Sequence, residues 1–354
     1  MNANQIVKNI LTIIICVIIF LLTILFIAFR HEIRTLASLE ERSPGAYTMV
    51  YDGDYGFDEF LAAGANDDKQ IEEFITKHLL KGIPVNLNVS GAGCTSFVTR
   101  DVNSDVIFAR NFDFEYSPFV QVYTNPEKGY ASVSTVNLSF AGYGKNNLPA
   151  SGIALKNFLT LAAPFLPFDG MNEKGVCIAL LSVPEARPEI DPEKITLNTT
   201  TSIRLVLDKA ANVDEAVELL RKYNIYFSGN VKCHFHIADS TGRSVLVEYY
   251  DGGLQVVEPE TDYQIASNYI AYNDLNIGEG FTEFERYNEV KTALEDNDGI
   301  TLNECEELLN RIGIVYNGND KLQWSVIYNL TQGNGEIWPH RNHDQAWDFH
   351  LIGK

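Results

Sequence analysis

The chemistry open to this sequence starts at Cys94, in the stretch Gly91-Ala92-Gly93-Cys94 that runs into a predicted strand. A thiol is only a few per cent ionised at neutral pH and needs a nearby base to act as a nucleophile. None of the 7 histidines lies in the sequence context of a catalytic histidine. Cys94 is therefore either a small buried apolar residue, as most single cysteines are, or a nucleophile that uses another base.

A cut between Gly93 and Cys94 would provide that base. The new α-amino group would have a pKa of about 7.7–8.0, close to working pH, and would share one residue with the thiol. The preceding residues, VNLNVSGAG at 85–93, are small and polar and are typical of an accessible connection. We predict that the Gly93–Cys94 bond is the cleavage site.

Two motifs carry a resemblance to a known family. CTSFVTRDVNSDVIFARNFDFE, which begins at Cys94, and FDGMNEKGV further along resemble the choloylglycine hydrolase and acid ceramidase group of N-terminal-nucleophile (Ntn) amidases. The CTS start and the long segment before it resemble the ceramidase-like branch, in which autoproteolysis removes a propeptide. The DGMNEKG motif resembles the bacterial choloylglycine branch, which includes penicillin V acylase and bile salt hydrolase.

The resemblance implies a substrate class and an activity. It implies hydrolysis of a linear amide C–N bond in a small-molecule N-acyl amide whose acyl group is apolar: fatty-acyl, bile-acyl or phenoxyacetyl. Two alternatives stay open, an acyltransferase on the same scaffold and a non-catalytic binding module on a membrane stalk. Relatives are often tetramers, so a homo-oligomer is also open.

The resemblance assigns roles to three residues at the start of the match. Cys94 corresponds to the nucleophile, Arg110 to the arginine beside the thiolate, and Asp113 to the aspartate that orients the new amine. A cation beside the thiol would lower its pKa. Because side chains alternate along a strand, Arg110 and Asp113 would lie on opposite faces, so we expect the strand to bend or end near residues 111–113. Without the resemblance, the two would be interpreted as a strand-end ion pair.

Three further positions carry weaker assignments. Asn268 corresponds to the asparagine whose amide helps to form the oxyanion hole, and Arg286 to a late active-site arginine. From the residues alone, Asn268 would be a turn residue, and Arg286 a solvated helix residue paired with Glu283 or Glu285. Ser182 stands where bile salt hydrolases carry an asparagine, so we assign it to substrate binding.

The histidines do not indicate a metal site. The run CHFH at 233–236 places two histidines on one face of a strand, whereas zinc sites need three or four ligands, so we expect a paired-strand surface. The C-terminal His340, His343 and His350 are too loosely spaced for a helical metal motif. We therefore assign no metal and no cofactor.

The order of predicted elements indicates the fold class. Strands, helices, strands, helices and strands follow one another from residue 94 onward, which indicates a layered α+β protein with helices packed on antiparallel sheets. The resemblance adds a finer expectation, the four-layer αββα sandwich of Ntn hydrolases. Before residue 94, Asn66-Asp67-Asp68 predicts the start of an amphipathic helix.

The N-terminus predicts a membrane helix. Residues 9–29 carry no charge, and as a helix they would span roughly 30 Å, the hydrocarbon thickness of a bilayer. A cleaved signal peptide is the weaker alternative, since Leu36-Ala37-Ser38 is a poor cleavage site. We expect residues 1–30 to be the anchor or an uncleaved signal, residues 31–93 a juxtamembrane and propeptide segment with one amphipathic helix, and residues 94–354 the catalytic domain.

The net charge of the chain argues against a nucleic acid as binding partner. The formal net charge is −20 at pH 7, and the sequence has no cluster of lysine and arginine, so a nucleic acid would be repelled. Flanking charges barely decide the membrane orientation. We expect a single-pass protein whose acidic catalytic domain is extracellular.

Overall fold

The computed structural model describes residues 3–87, 93–275, 277–278, 281–295 and 299–351. Gly91 and Ala92, which we predicted to belong to an accessible connection, lie outside the described residues. Within these ranges the α-helices are α1 (Ala3–Ala28), α2 (Arg30–Ala37), α3 (Phe57–Ala63), α4 (Asp68–His78), α5 (Thr199–Lys209), α6 (Val213–Arg221), α7 (Phe281–Glu295) and α8 (Leu302–Ile312). Short 3-10 helices span Leu138–Ala141, Leu155–Phe165, Ser228–Asn230, Tyr272–Asp274 and His343–Gln345.

The strands are numbered in chain order. They are β1 (Glu40–Ser43), β2 (Ala46–Val50), β3 (Gly93–Arg100), β4 (Val106–Asp113), β5 (Phe119–Thr124), β6 (Ser132–Asn137), β7 (Pro167–Asn172), β8 (Cys177–Ser182), β9 (Thr196–Asn198), β10 (Asn224–Tyr226), β11 (Cys233–Ala238), β12 (Ser244–Tyr250), β13 (Gly253–Val257), β14 (Gln264–Ala266), β15 (Tyr269–Ile270), β16 (Ile277–Gly278), β17 (Val315–Tyr316), β18 (Asn319–Asp320), β19 (Leu322–Asn329), β20 (Asn334–Pro339) and β21 (Trp347–His350).

Two sheets form the centre of the molecule. The nine-stranded sheet has the order β1-β2-β5-β6-β7-β8-β11-β12-β13, and the six-stranded sheet has the order β14-β3-β4-β19-β20-β21. Strands β2 and β5 run parallel, whereas β3 and β4, which carry the first motif, are antiparallel. The pairs β9–β10, β15–β16 and β17–β18 form small separate ladders.

Packing places helices on the outer face of each sheet. Apolar side chains of both sheets meet in one core, in which Phe112 stacks on Trp324 with ring centroids 4.0 Å apart and Phe168 packs edge-on against Phe112. Helices α5 and α6 contact the nine-stranded sheet, and α7 and α8 contact the six-stranded sheet. This helix–sheet–sheet–helix arrangement confirms the prediction of helices layered on antiparallel sheets.

The segment before Cys94 is built into the same fold. Strand β2 lies between β1 and β5 in the nine-stranded sheet, in register with β5 from Ala46 opposite Phe119 to Val50 opposite Tyr123. Residues of α2, β2, α3 and α4 share one buried cluster with residues of β5, β6 and α5. The predicted helix is confirmed as α4, where the Asp67 side chain accepts from the Gln70 N–H. The segment differs from our expectation, because it contains two further helical elements and two strands.

The N-terminal helix α1 stands apart from the core. Its stretch Val7–Ala28 is long and apolar enough to cross a membrane, and none of it is buried against the rest of the chain. A signal sequence near an N-terminus meets the same criterion, so membrane anchoring stays a prediction.

Candidate active site

Cys94 lies at the start of β3, between the two sheets. Its side chain is fully buried and belongs to the inter-sheet core. Its neighbour across the ladder is Phe112 of β4. The Arg110 guanidinium donates to the Cys94 sulfur over 3.4 Å. The predicted pairing of thiol and cation is therefore present in the uncut chain.

Arg110 is fixed by groups from the opposite sheet. One terminal nitrogen donates to the Phe168 carbonyl at 2.6 Å and to Asp169 Oδ2 at 2.7 Å. The other donates to the Leu180 carbonyl at 2.8 Å as well as to the Cys94 sulfur. The ion pair with Asp169 is completely buried. The residue-based alternative, an ion pair between Arg110 and Asp113, is wrong because the two side chains leave the strand in different directions.

Sequence reasoning missed Asp169. This carboxylate also accepts from the Tyr328 hydroxyl at 2.6 Å and from the Trp324 indole N–H at 3.2 Å. Three donors hold it in place, so it supports Arg110 as a rigid counter-ion. The signal was available, because Asp169 is the aspartate of the DGMNEKG motif. In the sequence, that motif served only as part of the resemblance to the choloylglycine branch.

Asp113 occupies the end of β4, directly opposite Gly93 in the ladder. Strand β4 ends at Asp113, as expected for a strand that bends or ends near residues 111–113, and the register of β19 shifts opposite this point, between Leu322 and Trp324. Asp113 Oδ1 accepts from the Ile314 N–H at 2.8 Å, and Oδ2 lies 3.8 Å from Arg286. Burial raises the pKa of Asp113 to about 6, against the opposing effect of Arg286.

Arg286 reaches Cys94 from helix α7 in the outer layer. It donates to the Cys94 carbonyl at 2.9 Å, to the Thr95 hydroxyl, and to Asn268 Oδ1 at 2.9 Å. Only 7% of Arg286 is exposed. The alternative of a solvated helix arginine is therefore wrong. The side chain of Glu283, one of its suggested partners, lies outside the described residues.

Asn268 joins three parts of the site. Its Oδ1 accepts from the Cys94 backbone N–H at 2.8 Å and from Arg286, and its Nδ2 donates to the Ser182 carbonyl at 2.7 Å and to the Ser182 hydroxyl at 3.1 Å. The amide orientation follows from these partners, since two are pure donors and the carbonyl is a pure acceptor. The amide N–H predicted for the oxyanion hole is thus bound to Ser182 in the uncut chain.

The Cys94 thiol is protonated in this state. Burial raises the pKa of Cys94 above its ordinary value, and this effect outweighs the lowering by the Arg110 charge and hydrogen bond. The expected influence of Arg110 is present, but it does not set the net direction. A thiol in this environment needs a base before it can attack a substrate.

A narrow apolar cavity lies beside these groups. It has a volume of about 30 Å³, and its walls include Phe168 and Leu180, whose carbonyls hold Arg110, together with Ser182. Leu87, from the segment before Cys94, forms another wall. A space of this size holds one or two waters and no acyl chain. The cavity is therefore too small for an acyl chain in this structure.

The histidines of β11 are buried, so the prediction of a paired-strand surface is wrong. His236 accepts from or donates to the Ser96 hydroxyl at 2.8 Å, and burial lowers its pKa to about 3, so it stays neutral. His234 bonds to Glu248 at 2.9 Å. Within the part of the chain that the structure describes, no group of three or more His, Cys, Asp or Glu side chains is arranged to hold a metal ion.

Known proteins resemble this chain in sequence. Penicillin V acylase of Pectobacterium atrosepticum is 34% identical over 111 residues, which cover 28% of this chain and 29% of the relative. A bile salt hydrolase/transferase of Lactiplantibacillus plantarum is 26% identical over 214 residues, 54% of this chain and 61% of the relative. The chain thus matches less than two thirds of the length of these relatives.

Solved structures share the fold. A mutant conjugated bile acid hydrolase from Clostridium perfringens superposes with a TM-score of 0.54 at 19% identity, covering 73% of this chain and 92% of that one. Penicillin V acylase from Agrobacterium tumefaciens gives a TM-score of 0.50 at 18% identity, covering 70% and 83%. The architecture is Ntn-hydrolase-like. The description "Linear amide C-N hydrolases, choloylglycine hydrolase family" matches residues 94–306, and the chain belongs to this family.

Proposed function

We propose that this chain is a cysteine Ntn hydrolase that cleaves the linear amide C–N bond of an N-acyl amide after a cut between Gly93 and Cys94. The observation that carries the proposal is the set of groups around one atom, the Cys94 backbone nitrogen. Asn268 accepts its N–H at 2.8 Å, and Asp113 lies across the ladder from Gly93. A thiol enzyme with an external base would not need such an environment at this nitrogen.

Asp113 is suited to receive an amine. Its Oδ2 is buried and makes no hydrogen bond within the described residues, and its nearest cation, Arg286, is 3.8 Å away. A cut before Cys94 would convert the peptide N–H into an amine that has protons to donate. A buried carboxylate oxygen with spare capacity is stabilised by such a donor.

In the proposed reaction, Cys94 supplies both the nucleophile, its thiol, and the base, its α-amine. The α-amine of Cys94 takes the thiol proton, and the sulfur bonds to the carbonyl carbon of the substrate. The ammonium returns a proton to the leaving nitrogen, the C–N bond breaks, and a thioester remains. Water deprotonated by the same amine attacks the thioester and releases the carboxylic acid and the thiol. Asn268 and a backbone N–H stabilise the oxyanion, which requires the Asn268 amide to turn from Ser182.

The apolar cavity supports the choice of acyl group. Phe168, Leu180 and Leu87 line it, and Ser182 is its polar boundary toward Asn268. An apolar wall next to the groups that hold Arg110 favours an apolar acyl group in the thioester, and the cavity would have to widen to admit it. We therefore propose N-acyl amides with fatty-acyl or bile-acyl chains, and we place Ser182 next to the bound acyl carbonyl.

The decisive experiment is intact-mass analysis and N-terminal sequencing of the full chain, combined with an assay on an N-acyl amide. Wild type is expected to give a fragment that begins at Cys94 and to release the acid, whereas Cys94→Ala does neither. Cys305→Ala removes a fully buried thiol of the outer core and serves as the matched control with both properties intact. An uncut wild-type chain without amidase activity contradicts the proposal and favours the binding module.

A second candidate activity is acyl transfer on the same site. It is favoured by the relative named bile salt hydrolase/transferase, which is 26% identical over 214 residues. Water and an amine would compete for the same thioester, so the product ratio at increasing amine concentration separates the two activities. Exclusive formation of the free acid identifies a hydrolase.

We also propose that α1 anchors the protein in a membrane, with the catalytic domain outside. Its 22-residue apolar stretch is unburied, which supports the anchor, and the net charge of −20 favours the outside for the catalytic domain. The substrate would then be met at the membrane surface.

A further inference from the structure

A buried carboxylate outside the catalytic set contacts the segment that carries Asn268. Glu248, on β12 of the nine-stranded sheet, is completely buried. Its Oε1 accepts from the Ala271 N–H at 3.0 Å, and its Oε2 accepts from the Tyr272 N–H at 2.9 Å. The neighbouring strand adds His234, whose Nδ1 lies 2.9 Å from Oε1. Three hydrogen bonds therefore satisfy this carboxylate.

The ionised state of Glu248 follows from these bonds. Burial alone would raise the pKa of Glu248, but hydrogen bonds from His234, Ala271 and Tyr272 outweigh it and lower the pKa. A carboxylate only accepts, so His234 donates through Nδ1. A charged group in a core is costly unless it is fully hydrogen-bonded, and here two of its partners are consecutive backbone N–H groups of one short segment.

That segment has Asn268 at its turn. The Tyr269 N–H bonds back to the Ser267 carbonyl at 3.0 Å, so the chain reverses tightly at Asn268. On the N-terminal side, β14 holds the segment to β3, with Ala266 paired to Ser96. On the C-terminal side, Glu248 holds it through Ala271. The six-stranded sheet therefore holds the backbone before Asn268, and the nine-stranded sheet holds the backbone after it.

We propose that Glu248 is a positioning residue, which holds the 267–272 segment so that Asn268 meets the Cys94 nitrogen and the reacting carbonyl. The inference rests on the proposed function. Glu248 is completely buried and bonded to His234, Ala271 and Tyr272, so it acts through the direction of the Asn268 side chain. His234 orients the Glu248 carboxylate through the hydrogen bond from its Nδ1–H.

The test uses Glu248→Gln in the full chain. Glutamine keeps the size of the side chain, and its oxygen accepts from one of the two backbone N–H groups, of Ala271 and Tyr272. Its NH₂ group cannot accept from the second N–H, so the 267–272 segment is held less tightly. Loss of one oxyanion donor costs about 10²–10³ in rate, and a misplaced donor is expected to cost about 10–100-fold in kcat with KM unchanged. The matched control is Asp208→Asn, which removes another buried carboxylate, on α5 and bonded to Tyr55 and Arg204, and is expected to keep kcat.

A double-mutant cycle and hydrogen exchange complete the design. If Glu248 acts through Asn268, Glu248→Gln adds no further loss of kcat in the Asn268→Ala background. Amide exchange in residues 267–272 is expected to accelerate in Glu248→Gln and to stay at the wild-type rate in Asp208→Asn. Wild-type kcat in Glu248→Gln, additive losses, or unchanged exchange would each overturn the proposal. An inactive wild type contradicts the proposed function, while the exchange measurement still decides the role of Glu248.

Discussion

The buried position of Asp113 disfavours the ionised form of its carboxyl group. Its pKa rises from 3.8 to about 6 in the folded chain, so the folded protein binds this proton more tightly than the unfolded chain does. The contribution of Asp113 to folding is therefore most favourable below pH 3.8 and becomes less favourable as the pH rises to about 6. The protein keeps a group in the site that weakens its fold at neutral pH, as functional sites often do.

Asp113→Asn is expected to stabilise the chain and to impair its chemistry. Asparagine keeps an oxygen acceptor for the Ile314 N–H and avoids the buried charge, so the free energy of unfolding at pH 7 should rise by as much as about 3 kcal/mol. Hydrolysis should fall because the proposed amine loses its carboxylate. Urea unfolding from pH 4 to pH 7 and the amide assay measure the two effects. Parallel stability profiles for wild type and Asp113→Asn would contradict this account.

The residues of the site differ in how far the sequence predicts them. Cys94, Arg110 and Asp113 belong to one hairpin, so a single continuous motif contains all three. Asn268 and Arg286 were assigned only through the resemblance, since a turn asparagine and a helix arginine have many structural uses. Glu248 was missed because the strand RSVLVEYY gives no sign that its one glutamate points into the core. Its partners, Ala271 and Tyr272, are brought near only by the packing of two sheets.

At the scale of elements, the start of β3 is fitted closely against the segment that follows α8. A Cβ at Gly93 would lie 2.5 Å from Ile314 Cδ1 and 3.4 Å from the Asp113 Cβ. The first of these distances is a clash, so only glycine fits at this position while Ile314 keeps its place. A side chain at the residue before the proposed cut would therefore require the terminal methyl of Ile314 to move.

Gly93→Ala is expected to slow the cut before Cys94 by displacing the strand end from Asn268 and Asp113. Ile314→Val removes the Cδ1 atom that causes the clash, at a usual cost of about 0.5–1.5 kcal/mol. The double variant Gly93→Ala/Ile314→Val should therefore recover cleavage, and Ile314→Val alone is the control. Time courses of the Cys94 fragment by intact mass measure this. A cut as slow in the double variant as in Gly93→Ala would show that packing is not the cause.

At the scale of the whole molecule, the proposed cut would divide one fold and not two domains. Strand β2 is a member of the nine-stranded sheet, and Tyr55 donates to Asp208 of α5 at 2.7–2.8 Å in a buried network with Arg204. Sequence analysis assigned the boundary at residue 94 from the motif start. It did not foresee this integration, because β5, the parallel partner of β2, lies beyond Cys94 in the chain, and a parallel pairing of distant strands leaves no local pattern.

The two fragments are therefore expected to stay together after the cut, and the activity to stay with the membrane fraction. Detergent-solubilised protein should give two bands on a denaturing gel and one peak on gel filtration.

Tyr55→Phe leaves the Asp208 carboxylate short of one buried donor, which costs about 1–3 kcal/mol, so the fragments should separate at a lower urea concentration than in wild type. Tyr51→Phe is the control, since the Tyr51 ring packs 5.7 Å from Tyr55 and its hydroxyl makes no hydrogen bond within the described residues. Release of an active Cys94 fragment without denaturant would contradict the single fold.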